Sequence, residues 1–236
     1  STIWARRGVK IGGVKSLPAF AMQIVMTLLA AALSSAPSIG AELIPADVHA
    51  LVSRIYQHAP APQVALYVTG GGMQLVPWLL AVPGASSSVL EVRVPYARPS
   101  LDELLGEPAG RACTRDVARR LASAAYSRAC ALSAAAGVPT APRGCVGLGC
   151  TAALRSGVLK RGDHRCFVAV HSAAGVHELA LKLAKGERSR PLEDAVVSRC
   201  ALLGLARACG IEPLDPVLEL TAADALESAF EAAGGS

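Results

Sequence analysis

Three stretches hold residue types that could do chemistry on a small anion. Thr69-Gly70-Gly71-Gly72 follows a short apolar run and precedes a helical pattern. A glycine turn of that kind aims backbone N–H groups at a phosphate, or simply makes a tight strand-to-helix connection. Gly84 and Ser86 lie in Val82-Pro83-Gly84-Ala85-Ser86, where serine hydroxyls either bind a ribose or phosphate or satisfy local backbone groups. Lys160, Arg161, Asp163, His164 and Arg165 set four possible cations around one carboxylate. This suits charge-assisted gripping of a phosphate, and equally suits a solvated turn leading into a strand. Tyr96 offers a phenol at a strand end, as a ligand contact or as a packed ring with a wet tip.

The elements that must position these residues are legible from periodicity. Val48, Leu51, Val52, Ile55 and Tyr56 form an apolar stripe that predicts a helix over 45–58. Residues 63–68 (QVALYV) read as a strand running into the glycines, followed by a helix over 73–80, and 88–96 read as a half-buried strand ended by Pro95. Thr114 caps a long helix through Ala136. Residues 138–149, rich in Pro and Gly, read as a loop, and 166–171 and 177–183 as a hairpin turning at Gly175. Pro191 opens a last helix with Glu193 and Asp194 near its positive end. The expected fold class is α/β, a three-layer α/β/α sandwich with a mixed, mostly parallel sheet.

Apolar residues make up 52% of the 236 and aromatics only 4%, so the core must be built from Ala, Val and Leu. Arg6, Arg7, Lys10 and Lys15 precede the first acidic residue, Glu42, and supply most of the net charge of +5. The body is nearly neutral and lacks a basic stripe with interleaved aromatics, which argues against nucleic acid as a partner. Seven cysteines with no CxxC pair indicate neither a disulfide framework nor a zinc knuckle, and Cys145 and Cys150 have no paired base at a recognisable spacing. No metal or cofactor is expected, and a reducing, intracellular compartment is the simplest reading. Residues 1–42 read as a leader: a basic start, an uncharged run from Leu17 to Leu33, then small residues. A transit peptide to chloroplast or mitochondrion fits the same stretch. The domain is expected over 43–211, with 212–236 as an acidic tail or linker.

Four motifs in order, Tyr67-Val-Thr-Gly-Gly-Gly72, Val82-Pro-Gly-Ala-Ser86, Val94-Pro-Tyr96 and Cys113-Thr-Arg-Asp-Val-Ala118, resemble the CinA C-terminal family of nicotinamide-nucleotide amidases. The resemblance covers about 60–211. It is closer still to the plant and algal version, which it matches in Gly147 to Leu154, in Lys160 to Phe167 and in Arg188-Ser-Arg190. In those relatives the domain lies upstream of a nucleotidylyltransferase-like domain, whose HxGH-type signature does not occur in this sequence. The resemblance implies a pyridine-nucleotide-like ligand contacted by Thr69, Gly70, Gly71, Gly84, Ser86, Tyr96, Lys160, Arg161 and Arg165, and by analogy a homodimer.

Active amidases of the family carry a serine nucleophile in an ESCTGG turn, which aligns with Tyr67, and a lysine that aligns with Leu101; their tyrosine matches Tyr96. A leucine cannot take up a proton, so two of three chemical roles are unfilled. The sequence therefore implies a domain that binds a nucleotide-type molecule without hydrolysing its amide. The alternatives are an amidohydrolase rearranged around the catalytic residue Tyr96, with Ser86 or Thr69 in place of serine, and a structural or dimerisation module.

Overall fold

The computed structural model describes residues 44–138, 144–158, 161–212 and 218–233. The leader assigned to 1–42 and Lys160 lie outside the described residues. Helix α1 (Ala46–Gln57) forms on its apolar stripe and buries Val48, Leu51, Val52 and Ile55. Strand β1 (Gln63–Thr69) is buried along nearly its whole length, the pattern of a strand covered on both faces. The chain returns through α2 (Leu75–Ala81) and the single turn α3 (Ala85–Ser88) to β2 (Val89–Arg93), which lies parallel to β1. It then crosses the other face through α4 (Arg98–Leu105) and α5 (Arg115–Ala135) to β3 (Cys145–Ala153), parallel to β1 on its far side. The antiparallel strands β4 (His164–Ser172) and β5 (Gly175–Leu183) follow, then α6 (Arg190–Ala208) and β6 (Ala225–Ala232).

The result is a six-stranded mixed sheet in the order β2-β1-β3-β4-β5-β6 between two helical layers. Parallel pairing is confined to β2, β1 and β3, and the later strands add as an antiparallel meander. One core joins α1, α2 and α6 to the sheet through Val64, Leu66, Val68, Leu148, Val168 and Leu181. The other joins α4 and α5 through Ala65, Tyr67, Leu101, Leu121 and Ala125. Alternation of side chains along each strand divides the two sets. Among the described residues no helix is long and apolar enough to cross a membrane.

Several elements differ from the sequence reading. Residues 145–149 are not loop but the first half of β3, a central strand. Its glycines are there for closeness: a Cβ on Gly147 would lie 2.0 Å from the Tyr126 nitrogen, and one on Gly149 would lie 2.2 Å from the Ala118 carbonyl oxygen. They let α5 lie directly on the strand. Helix α4, unread in the sequence, forms around buried Leu101 with an Arg98–Asp102 pair one turn apart. The supposed acidic tail supplies β6. Its carboxylates have partners: Glu227 pairs with Arg115, Glu231 with Arg119, and Asp224 with Arg188 at 2.7 Å.

Candidate functional site

The chain leaves β1 toward the α2 side of the sheet and leaves β2 toward the α4 side. Between the carboxyl ends of two such parallel strands an α/β sheet opens a crevice. Thr69, Gly70, Gly71 and Tyr96 all sit at this end. The Thr69 hydroxyl donates to the Pro95 carbonyl oxygen at 2.9 Å and so ties the two strand ends together. Gly70 has φ +76°, and a Cβ there would lie 2.0 Å from the Ala152 carbonyl oxygen, so only glycine passes. Tyr96 is 67% exposed beside them. The N–H groups that follow the turn already hold an anion: Asp194 of α6 accepts from Gly72 at 2.8 Å, from Met73 at 3.3 Å and from Gln74 at 3.1 Å. The anion-holding power expected of this turn is thus used by a carboxylate of the protein itself.

Gly84 and Ser86 are not brought to this end. They precede β2, and Gln63 at the start of β1 donates through Nε2 to the Ser87 carbonyl oxygen at 2.7 Å. The length of β1, roughly 20 Å at the usual rise, separates them from Thr69. Gly84, at φ +112°, seats the ring of Tyr56, whose carbons would lie 3.0 Å from a Cβ there. Ser86 is exposed.

Tyr67 and Leu101 belong to the same buried cluster under α5. The Tyr67 phenol donates to Glu91 Oε1 at 3.1 Å, and Arg128 holds the other carboxylate oxygen at 2.9 Å. Arg93 bonds Glu91 at 2.8 Å and lies 5.6 Å above the Tyr67 ring. Burial raises the phenol above its usual range, against the pull of the Arg93 charge. Burial also works to raise Glu91, but the Arg128 and Tyr67 hydrogen bonds and Arg93 outweigh it and hold that carboxyl below its ordinary value. At neutral pH this phenol keeps its proton and donates a hydrogen bond.

Antiparallel pairing brings the start of β4 to the same end as the carboxyl end of β1 and β3. There a cavity of about 340 Å³ is lined by Arg155, Ser156, Gly157, Val158, His164, Lys185 and Gly186. His164 Nδ1 lies 2.6 Å from Oε1 of Glu193, which is fully buried. Oε2 of Glu193 accepts the Arg155 N–H at 2.7 Å. Both oxygens of the carboxylate thus face donors, with Nδ1 as the ring nitrogen that donates to Glu193 and Nε2 as the one not bound to it, and the His164 side chain lines the cavity.

Arg161 is exposed, and its carbonyl oxygen accepts from Lys185 Nζ of the cavity wall at 3.2 Å. Arg165 faces the opposite side of the sheet from His164, over the Phe167 ring at 5.7 Å, a ring it shares with Arg115 at 5.8 Å. Arg190 links cavity and glycine turn, donating to the Arg155 carbonyl oxygen at 3.0 Å and to that of Gly70 at 2.9 Å. Sequence reasoning singled out neither Arg155 nor Lys185, and it read Glu193 only as a helix-end charge. His164 and Glu193 are 29 residues apart, with no spacing rule to join them. Among the described residues no three His, Cys, Asp or Glu side chains gather as a metal-binding group.

No family model and no curated protein matches the sequence. Solved structures match it in fold. The competence/damage inducible protein CihA from Agrobacterium tumefaciens superposes with a TM-score of 0.55 at 17% identity, over 72% of this chain and 98% of its own. A competence or damage-inducible protein from Enterobacter asburiae gives 0.51 at 10% identity, over 69% and 96%. A competence-damaged protein (CinA) superfamily protein from Escherichia coli gives 0.50 at 14% identity, over 68% and 86%. The chain shares their fold.

Proposed function

We propose that the chain is a CinA-like domain that binds a phosphate-bearing, nucleotide-type small molecule at the carboxyl edge of its sheet and does not hydrolyse the ligand's amide. The observation that carries this reading is that Tyr67 and Leu101 are both buried members of one core cluster. These two positions align with the family's serine and lysine, and their place in the same cluster supports that alignment. The two positions carry a buried, hydrogen-bonded phenol and a buried isobutyl group, in place of a serine nucleophile and a lysine that could take up a proton. Loss of members of a unit that acts together costs many orders of magnitude in rate.

Ligand binding is supported by the basic cavity and by the crevice beside it. Arg155, Lys185 and Arg161 supply cations at one end of the sheet, and Arg190 ties that wall to Gly70. A phosphate in the cavity with a nucleoside directed toward Thr69 and Tyr96 uses the ligand residues that share this edge. Gly84 and Ser86 serve the scaffold in this reading. The resemblance in Lys160–Phe167 extends the proposal to the plant and algal version of the domain and its nucleotidylyltransferase-like neighbour.

Calorimetric titration with nicotinamide mononucleotide, with ammonia assayed in the same sample, tests the proposal. Saturable heat without ammonia is the expected result. Ammonia release would revive the rearranged amidase, and absence of heat would leave a structural or dimerisation module.

A further inference from the structure

The His164–Glu193 pair is costly to build. A fully buried carboxylate loses its hydration, and a hydrophobic pair of the same volume is often as stable or more so. Here the carboxylate holds Nδ1–H at 2.6 Å and fixes the tautomer, and His164 lines the cavity beside Arg155 and Lys185. A buried acid that orients an imidazole lining a cavity is the acid–base half of a hydrolytic site. Two cations on the wall of that cavity would offset charge developing on phosphoryl oxygens.

We infer that the cavity hydrolyses phosphate esters, with His164 as general base and Glu193 as its positioning residue. This rests on the phosphate-binding reading of the same cavity and adds a reaction at phosphorus, separate from the absent amide chemistry. The oxygen of a water molecule bonds to phosphorus while the ester P–O bond breaks. The water's proton passes to His164 Nε2, and Nδ1–H stays on the ring, where Glu193 stabilises the imidazolium. That proton is then returned to the departing oxygen. Ester and water give phosphate and an alcohol, and no electrons are exchanged.

The test uses the full chain with 4-nitrophenyl phosphate as substrate, and calorimetry with inorganic phosphate as the separate measure of binding. Expected are turnover by the unaltered protein and a loss on the order of 100-fold or more in His164→Gln with folding intact by circular dichroism. In Glu193→Gln, kcat falls at least about tenfold while KM stays within a few-fold, a split that a role in packing alone would not produce. Lys185 is exposed, so Lys185→Ala keeps its fold and weakens both phosphate binding and turnover. Phosphate binding without turnover overturns the hydrolytic inference and leaves the binding reading in place. No phosphate binding overturns both. Turnover unchanged in folded His164→Gln, or in Lys185→Ala should the former not fold, overturns the assignment of this cavity.

Discussion

Replacing Asp194 by alanine removes the single acceptor of three backbone N–H groups at the start of α2. The Gly72 N–H lies in the interior, whereas Met73 and Gln74 are half-buried and can recover part of their loss from water. A hydrogen bond to a charged group contributes about 1.5–3 kcal/mol, and a buried donor left empty costs about 1–3 kcal/mol. Counting Gly72 in full and the other two in part gives a loss of about 3–4 kcal/mol. That is a large share of the ~5–15 kcal/mol that holds a domain folded.

With a urea m-value of ~2 kcal/mol/M, the unfolding midpoint should fall by about 1.5–2 M. Asp194→Asn keeps one carbonyl acceptor and should lose roughly half as much. Because the emptied N–H groups form an anion seat, phosphate or sulfate should raise the midpoint of Asp194→Ala more than that of the unaltered protein. A midpoint shift worth less than about 1 kcal/mol, with no added response to phosphate, would refute the idea that this carboxylate is what the glycine turn was built to hold.

Two further outcomes follow from the packing. Gly147→Ala places a methyl carbon 2.0 Å from backbone nitrogen of α5, which must retreat, and should cost at least about 2 kcal/mol in the same denaturation assay. At Asp224 burial works to raise the carboxyl, but Arg188 and the Ala184 and Thr221 N–H groups outweigh it and pull it down to about 2. A depressed carboxyl stabilises the fold fully above its unfolded value near 3.8 and loses that contribution as pH falls through the folded value. Docking of 218–233 should therefore weaken between about pH 4 and pH 2, seen as faster amide exchange in β6 than in β4, and Asp224→Asn should show the weakening already at neutral pH.

Helices α1, α5 and α6 were legible because a buried face recurs at helical spacing, and β1 because a strand covered on both faces is an apolar run. Strand β3 was not, since Gly147 and Gly149 carry the composition of a turn while their purpose is to admit a helix backbone. Strand β6 hides behind its glutamates, which mark solvent in a sequence but here meet Arg115 and Arg119 of α5. At the site, the glycine turn, Tyr96 and His164 stood out by residue type and motif. Asp194 and Glu193 did not, because what they hold lies 120 and 29 residues away and only the folded sheet edge brings them near. Gly84 and Ser86 fitted a motif order that says nothing of which end of a strand a loop occupies.

Arg190 is a pin through two loops. One guanidinium grips the peptide oxygens of Gly70 and Arg155, so neither loop can shift without dragging on the other. A molecule that draws Arg155 inward would stiffen the backbone at Gly70 although it never touches that residue, and the crevice would register an occupant of its neighbour before any contact between them.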